Sequence, residues 1–270
     1  SESNLKNIIE IGSGTGSLIE QIGIKEITAV ELSSTAREEL IKKGIDTHTT
    51  IDELTTKTSD LIFGNEILDN IPCSIGLYKD EAWYEKVVLF EEASLAYDLK
   101  PMRNLELDWV NKNNIVPNEN YEFEIQVNID KFLNSVIKKI NPGKILLFDY
   151  GYEQQNRDKR VYSSLLRTYK NHHLSVDPIE DPGNIDITYD VNFSSISREL
   201  QYLGYDVTLK LQRDFLLDNG FNIFFDELQE KYIYAEGIEK LKINSELNGM
   251  KAIVDSNGLG GFYCLIAEKL

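Results

Sequence analysis

Short apolar segments and amphipathic segments alternate along most of this chain. Apolar stretches of strand length occupy residues 7–11, 26–32, 60–66 and 144–150, and a shorter one lies near residues 46–49. Several of these stretches are followed by a helical pattern, as in strands joined by crossover helices. The alternation predicts an α/β fold with a doubly wound parallel sheet, whose ligand crevice lies at the carboxyl ends of the strands.

Two of the predicted helices have recognisable boundaries. In "SSTAREELIKKG", Thr35 and Glu38 have the spacing of a capping box, and Gly44 stands where a helix C-cap belongs. A later segment carries one apolar helical face that predicts packing on the sheet, formed by Ile129, Phe132, Leu133, Val136, Ile137 and Ile140. An Asn-Pro-Gly turn at residues 141–143 is expected to lead into the fifth strand.

The regular pattern is interrupted twice. Residues 74–127 alternate like antiparallel strands, which predicts an inserted, hairpin-rich lobe for substrate binding. The remaining residues, 1–73 and 128–270, then form the core domain. Residues 151–193 are irregular, and we expect them to cover the active site.

The last two strand candidates are residues 205–212 and 261–270, separated by a long connection. The C-terminal strand is expected to insert antiparallel between its neighbours. With it, the sequence predicts a Rossmann-like sheet of seven strands.

Charge and cysteine content narrow the possible functions. The chain of 270 residues has a formal charge of −17, which repels nucleic acid phosphates and anionic lipid and attracts basic partners. No apolar run approaches the roughly 20 residues that span a bilayer, and we expect neither a membrane partner nor an export signal. Cys73 and Cys264 match no metal-binding or redox spacing, so we expect no metal and a reducing compartment, the cytoplasm or the mitochondrial matrix.

The segment "EIGSGTG" is the main candidate for chemistry. It places glycines at 12, 14 and 16, which is neither the spacing of dinucleotide sites nor that of a P-loop. Glu10 before the turn would repel a pyrophosphate but suits a cofactor with a positive amine or sulfonium. Glu31, at the end of the second strand, can accept hydrogen bonds from both ribose hydroxyls. A tight turn without a ligand is the alternative interpretation.

This combination resembles the class I S-adenosylmethionine methyltransferases, which implies S-adenosyl-L-methionine as the cofactor. The residues expected to bind it are Glu10, Gly12, Ser13, Gly14, Gly16, Glu31, Leu32, Thr49, Thr50, Asn65 and Glu66.

Three further segments resemble the MidA family in particular. They are "GNEILDNIPC" at 64–73, "ILLFDYGY" at 145–152 and "DPIEDPGNIDITYDVNF" at 177–193. Two departures stand out. Residues 190–193 read Asp-Val-Asn-Phe where family members usually have His-Val-Asp-Phe, and this sequence starts directly at the first strand, before which family members carry a helical region.

The resemblance implies methylation of a protein or peptide nitrogen, with arginine as the first candidate. It implies catalytic roles for Glu66, Asp69, Asp149 and Tyr150, and substrate contacts for Glu124, Asp186 and Thr188. Helix capping by Glu66 and Asp69, and a purely structural Asp149 turn, are the alternative roles. Methylation of a side-chain amide or a natural product, and a catalytically silent assembly factor, are alternative functions.

Overall fold

Sixteen strands and eight helices appear in the computed structural model, which describes residues 7–24, 26–55, 59–92, 94–159, 165–170, 173–174 and 177–269. The strands are β1 (Ile8–Ile11), β2 (Ile27–Val30), β3 (Asp46–His48), β4 (Ser59–Asn65), β5 (Ser74–Lys79), β6 (Ala82–Glu91), β7 (Ser94–Pro101), β8 (Glu122–Ile125), β9 (Ile140–Asp149), β10 (Gly151–Tyr152), β11 (Leu166–Lys170), β12 (His173–Leu174), β13 (Asp186–Tyr189), β14 (Val191–Asn192), β15 (Asp206–Leu211) and β16 (Tyr263–Lys269). The helices are α1 (Ser17–Ile22), α2 (Ser34–Lys42), α3 (Asn104–Lys112), α4 (Val127–Ile137), α5 (Phe193–Tyr202), α6 (Gln212–Asp218), α7 (Phe221–Tyr234) and α8 (Gly237–Val254).

Seven strands form the central sheet, in the order β15-β16-β9-β4-β1-β2-β3. Neighbouring strands are parallel except at β16, which is antiparallel to both β9 and β15. The predicted doubly wound sheet with an inserted final strand is confirmed. The chain adds β2 and β3 on one side of β1 and then returns to place β4 on the other side. The strand order therefore reverses between β1 and β4, and the carboxyl ends of these two strands border the crevice expected at such a switch point.

The central strands are apolar because helices cover both faces of the sheet. On one face, α4 and α5 pack Leu133, Val136 and Ile196 against strand residues such as Ile62. On the other face, Ile19 of α1 and Leu40 of α2 contact the opposite side chains of β1 and β2. Leu133 is fully buried, and its truncation to alanine would cost about 2–5 kcal/mol of stability.

A second sheet, with strand order β7-β6-β5-β8, is antiparallel as the alternation of its residues predicts. Helix α3 packs Trp109 against Phe123 and Trp83 to give this sheet its own core. A smaller sheet, β12-β11-β13, faces it across a groove. The two walls are linked by a hydrogen bond of 2.5 Å from the Tyr97 hydroxyl to Asp177 Oδ1.

Helices α6, α7 and α8 lie in the connection between β15 and β16, for which the sequence analysis predicted no elements. They form a small cluster around Ile243 and Leu247, and α6 and α8 border the crevice. None of the helices in the described part of the chain has the length and apolar character needed to cross a membrane.

Two local predictions were wrong. Ser33, not Thr35, caps α2, since its side chain accepts a hydrogen bond from Ala36 N. Residues 141–143 form no turn between α4 and β9, because β9 already begins at Ile140 and is irregular opposite Ser59. Position 143 requires glycine because of tight packing, since a Cβ atom on Gly143 would lie 2.7 Å from Ser59 O.

Candidate functional site

Hydrogen bonds and left-handed glycines shape the loop between β1 and α1. Gly12 N donates to Val30 O at 2.8 Å, and Gly16 N donates to Ser13 O at 2.9 Å. The φ angles of Gly12, Gly14 and Gly16 are 72°, 52° and 82°. Side chains with a Cβ atom rarely adopt such angles, so the backbone itself requires glycine at these three positions.

The three glycines differ in their surroundings. A Cβ atom on Gly12 would overlap the Ile67 side chain, and one on Gly16 would lie 2.7 Å from Leu40 Cδ2. A Cβ atom on Gly14 would meet no described atom within 4 Å. Gly12 and Gly16 therefore allow close packing, whereas Gly14 borders open space that a ligand can enter.

Glu31 holds the loop in place from the end of β2. Its Oε2 accepts a hydrogen bond of 2.9 Å from Gly14 N, and its Oε1 accepts one of 2.8 Å from Ser33 N. A carboxylate has about four acceptor positions, so two remain for hydroxyl groups of a ligand. The carboxylate thus ties the glycine loop to the start of α2.

A cleft of about 710 Å³ opens at the carboxyl ends of β1 and β4, and its volume is typical of small-molecule sites. We call it the cofactor cleft. Six residues predicted to bind the cofactor line it, namely Glu10, Gly12, Ser13, Gly14, Asn65 and Glu66. The structure therefore brings the residues after β1 and those after β4 to one cavity.

Five other predicted residues lie outside the lining of this cleft. Gly16 is packed in the loop interior, and Glu31 accepts the hydrogen bond from Gly14 N beside the cleft. Leu32 is 76% exposed at the surface. Thr49 and Thr50 lead into a short 3-10 helix, where Thr49 N donates to Glu53.

Further lining residues come from parts of the chain that sequence reasoning did not connect to the site. They are Phe148 at the end of β9 and Gln212, Leu216, Ile253, Leu259 and Phe262 around helices α6 and α8. No local signal placed these residues, because their approach to β1 depends on how the whole connection between β15 and β16 folds back. They give the cleft an apolar wall opposite the glycine loop.

Glu10 provides a test of which ligand the cleft fits. Its side chain is 4% exposed, and its Oε2 has no hydrogen-bond partner among the described residues. Burial raises the pKa of Glu10 to about 7, the Ser13 hydroxyl opposes this, and the Glu31 charge adds to it. A buried acceptor without a partner fits a ligand that brings a cationic donor, as the amino group of S-adenosyl-L-methionine does.

Directly after β4 the chain makes a strained turn. Glu66 has a φ angle of 50°, which is uncommon for residues other than glycine and is found at functional sites. Asn70 stabilises the turn by donating to Glu66 O at 3.2 Å and to Asp69 Oδ1 at 2.8 Å. The turn separates two cavities: Glu66 lines the cofactor cleft, and Asp69 lines the groove between the smaller sheets.

Asp69 and Tyr150, two of the residues expected to be catalytic, lie in contact with each other. The Tyr150 hydroxyl donates to Asp69 Oδ2. Burial raises the pKa of Asp69, the Tyr150 hydrogen bond opposes this, and the charge of Glu66 raises the pKa further. Asp69 therefore holds a proton more readily than an ordinary carboxyl group does.

Asp149 has a different position from the one expected. It is fully buried and lines neither cavity. Its Oδ2 accepts hydrogen bonds from Leu68 N at 2.8 Å and Asp69 N at 3.2 Å, and its Oδ1 accepts one from Tyr150 N. These contacts favour the structural alternative for Asp149, which holds the turn that carries Asp69.

The departures from the family pattern at 190–192 have structural explanations. Asp190 Oδ1 accepts a bond of 2.8 Å from Arg167 Nη1, and both residues are buried. The Arg167 guanidinium lies 4.8 Å from the centre of the Tyr150 ring. Asn192 caps α5 by accepting from Ser195 N. Arg167, which sequence reasoning missed, thus contacts both Asp190 and the Tyr150 ring.

The groove on the far side of Asp69 has a volume of about 720 Å³. We call it the acceptor groove. Its walls are residues 69–75, strands β6 and β7, and the segments that carry Leu166, Pro178 and Ile187. The Tyr189 hydroxyl closes the inner end by hydrogen bonding to Ile71 O at 2.6 Å.

The three residues predicted to contact the substrate do not line this groove. Glu124 is 1% exposed and accepts a hydrogen bond of 3.1 Å from the Tyr152 hydroxyl. Asp186 and Thr188 alternate along β13 with Ile187 and Tyr189, and the latter two line the groove. Because successive strand residues point to opposite faces, Asp186 and Thr188 lie on the face of β13 that is turned away from this groove, and their contact with a substrate stays a prediction.

Comparisons with known proteins agree with this geometry. A protein family described as "Putative S-adenosyl-L-methionine-dependent methyltransferase" matches residues 1–208. The mitochondrial "Protein arginine methyltransferase NDUFAF7 homolog" of Caenorhabditis elegans is 27% identical over 164 residues, which cover 59% of this chain and 37% of that protein. This chain therefore spans well under half the length of that relative.

Two solved structures from Burkholderia thailandensis share the fold. An uncharacterised protein matches with a TM-score of 0.82 and 21% identity over 99% of this chain and 75% of its own. A second structure, with bound S-adenosyl-homocysteine, matches with a TM-score of 0.80 and 21% identity over 99% of this chain and 72% of its own. With the family match over most of its length, and with a cleft that fits the cofactor, the chain belongs to this family of S-adenosyl-L-methionine-dependent methyltransferases.

Proposed function

We propose that this chain methylates a nitrogen atom in a side chain of another protein, with arginine as the first candidate acceptor. The observation that carries the proposal is the turn of residues 66–70, which borders both cavities. Its Glu66 lines the cofactor cleft and its Asp69 lines the acceptor groove. Two carboxylates thus stand where an acceptor from the groove would meet the cofactor.

S-adenosyl-L-methionine supplies an electrophilic methyl group on its sulfonium when it is bound. We assign Glu10 to the amino group, and Phe148 and Phe262 to an apolar wall of the cofactor cleft. We assign Glu31, which is bonded to the cleft residue Gly14, to the ribose. Methyl transfer is an in-line displacement, so the protein contributes mainly by orienting the acceptor and excluding water.

Acidic residues at the turn suit a guanidinium acceptor. The guanidinium carries five N–H donors, and carboxylates bind it with strong, directional hydrogen bonds. A nitrogen that takes a methyl group must also lose a proton. Asp69 is the group to receive it, because its raised pKa makes its carboxylate a stronger base than an ordinary one.

The name of the Caenorhabditis elegans relative, a protein arginine methyltransferase, supports this choice of acceptor. The charge of −17 supports a cationic acceptor over a nucleic acid. We also propose a reducing compartment, the cytoplasm or the mitochondrial matrix, because both cysteines, Cys73 and Cys264, are free.

The test is transfer of an isotope-labelled methyl group from S-adenosyl-L-methionine to fractionated cellular proteins, followed by mass spectrometry of the labelled peptides. We expect label on arginine, and we expect Asp69→Asn to abolish it. Asp226→Asn changes an exposed carboxylate on α7 and is the matched control.

Three outcomes contradict the proposal in different ways. Label on an asparagine or glutamine side chain would replace arginine by an amide acceptor. Label on a small molecule would exclude a protein substrate. Tight binding of S-adenosyl-L-methionine without transfer to any acceptor would indicate a silent assembly factor.

A further inference from the structure

The acceptor groove has apolar walls that remain exposed to solvent. Val88 on β6 is 50% exposed and Ile187 on β13 is 42% exposed, although both lie in the groove. Ile71, Leu166 and Ile179 extend the same apolar lining from other segments. Apolar side chains that face one another across a groove of this size indicate an apolar ligand.

The charges along the groove are unevenly distributed. Lys86 is paired with Glu122 at 2.9 Å, and Arg103 is paired with the buried Glu85. Lys100 lines the groove, is exposed, and has no ion pair with any residue that the structure describes. The outer wall therefore presents an unpaired positive charge, whereas the inner end presents Asp69.

Strand β13 lies at the edge of its sheet and pairs with β11 on one side, within the described residues. Edge strands offer backbone donors and acceptors to an extended peptide, and alternate side chains of that peptide enter the adjoining pockets. An extended segment that paired with this edge would lie next to Ile187 and Tyr189, which line the groove.

We propose that the acceptor groove binds an extended protein segment in which the methylated residue is flanked by aliphatic side chains, with an acidic residue placed near Lys100. A single cationic side chain reaches Asp69, and further basic residues are disfavoured by Lys100. This inference rests on the proposed function, and it narrows the substrate class to apolar segments, as opposed to glycine-rich or lysine-rich tails.

The test uses short fluorescein-labelled peptides with one central arginine, which differ in the flanking residues alone. One peptide has aliphatic flanks, one has glycine flanks and one has lysine flanks, and the first two carry the same glutamate. Binding is measured by fluorescence anisotropy in the presence of S-adenosyl-homocysteine. We expect the aliphatic peptide to bind at least about tenfold more tightly than the glycine peptide, since each buried aliphatic side chain contributes about 1.5–3 kcal/mol.

Two substitutions on the groove wall sharpen the test. Val88→Asn should weaken binding of the aliphatic peptide by about tenfold, whereas Val116→Asn should not, since Val116 is 78% exposed in the same lobe and lies outside the groove. Lys100→Glu should improve binding of the lysine peptide by about threefold or more, and Lys242→Glu on α8 should leave it unchanged.

Equal binding of the aliphatic and glycine peptides, or equal effects of the two valine substitutions, would overturn the inference. Separate measurements of peptide binding and of methyl transfer distinguish failure of the proposed function from failure of the groove assignment. If the peptides bind in the expected order but arginine is never methylated, the proposed function fails and the groove assignment stands. If arginine is methylated without preference for aliphatic flanks, the groove assignment fails alone.

Discussion

Tyr150 donates its hydroxyl hydrogen bond to Asp69, a residue 81 positions earlier in the chain. This pair lies between the cofactor cleft and the acceptor groove. Asp69 lines the acceptor groove, and the Tyr150 ring packs edge-on against Phe262 of the cofactor cleft, with ring centres 5.4 Å apart. The pair is therefore placed to act on an acceptor that enters from the groove.

Loss of the Asp69 carboxylate should stop the chemistry without affecting the cofactor. We expect Asp69→Asn to lower kcat by about 10²–10⁴-fold, the usual effect of removing a general base. Affinity for S-adenosyl-L-methionine, measured by calorimetry, should stay within about twofold of wild type. A parallel loss of cofactor affinity would show that Asp69 supports the cleft instead.

Removal of the Tyr150 hydroxyl should shift the pH dependence of the reaction. The Tyr150 hydrogen bond lowers the pKa of Asp69, so Tyr150→Phe lets this pKa rise. The base is active when deprotonated, and the acidic limb of the kcat–pH profile should therefore move to higher pH. Tyr202→Phe, which changes an exposed tyrosine, is the control. If the acidic limb does not shift in Tyr150→Phe, Asp69 is not the titrating group.

Arg167 should act through Tyr150, because its guanidinium lies against that ring and is held by Asp190. Arg167→Lys should lower kcat about threefold to tenfold in wild type and have little effect in the Tyr150→Phe background, as expected for coupled residues. The measurement is a double-mutant cycle on kcat, with thermal unfolding as the folding control. The same loss in both backgrounds would contradict this coupling.

Glu31 should be needed for cofactor binding, since it joins Gly14 and Ser33 through two charge-assisted hydrogen bonds. We expect Glu31→Ala to weaken S-adenosyl-L-methionine binding by about 10–100-fold. Glu39→Ala on the exposed side of α2 is the control and should bind normally. Unchanged affinity in Glu31→Ala, measured by calorimetry, would exclude the assignment of this loop to the cofactor.

Gly12 and Gly14 should respond differently to the same added methyl group. Both have positive φ angles, so alanine costs each about 1–2 kcal/mol of stability. Gly12→Ala should cost about 1–3 kcal/mol more in urea unfolding, because its Cβ overlaps Ile67. Gly14→Ala should remain folded but bind the cofactor weakly, because its Cβ enters the cleft. Normal cofactor affinity in Gly14→Ala would contradict the location of the site.

Ionisation of Glu10 should make the stability of the protein fall, and its affinity for the cofactor rise, as the pH increases. Its pKa is about 7 in the folded protein, against 4.5 as the ordinary value. Between these values the folded state holds a proton that the unfolded state has lost, so the stability of the unliganded protein falls as pH rises through about 7.

Cofactor affinity should rise over the same interval, since an ionised Glu10 attracts the cationic amino group. Urea unfolding and calorimetry across this pH range would measure the two effects. Glu10→Gln should flatten both profiles, and a variant that keeps the wild-type pH dependence would assign the effect to another group.

The sequence by itself determined which segments form the parallel strands and where the glycine loop lies. Strands such as β1 are buried along their whole length, and this requirement leaves a local apolar pattern that can be read directly. The loop is readable for a similar reason, since the positive φ angles of Gly12 and Gly14 require glycine locally.

Only the tertiary structure decided which face each acidic residue presents. Glu66 and Asp69 are three positions apart, yet the left-handed turn at Glu66 sends them to different cavities. Asp149 looks like a crevice residue in the sequence, but it bonds to the backbone of Leu68 and Asp69 and is fully buried. The direction of such side chains depends on contacts between segments some 80 residues apart, and local sequence patterns carry no information about those contacts.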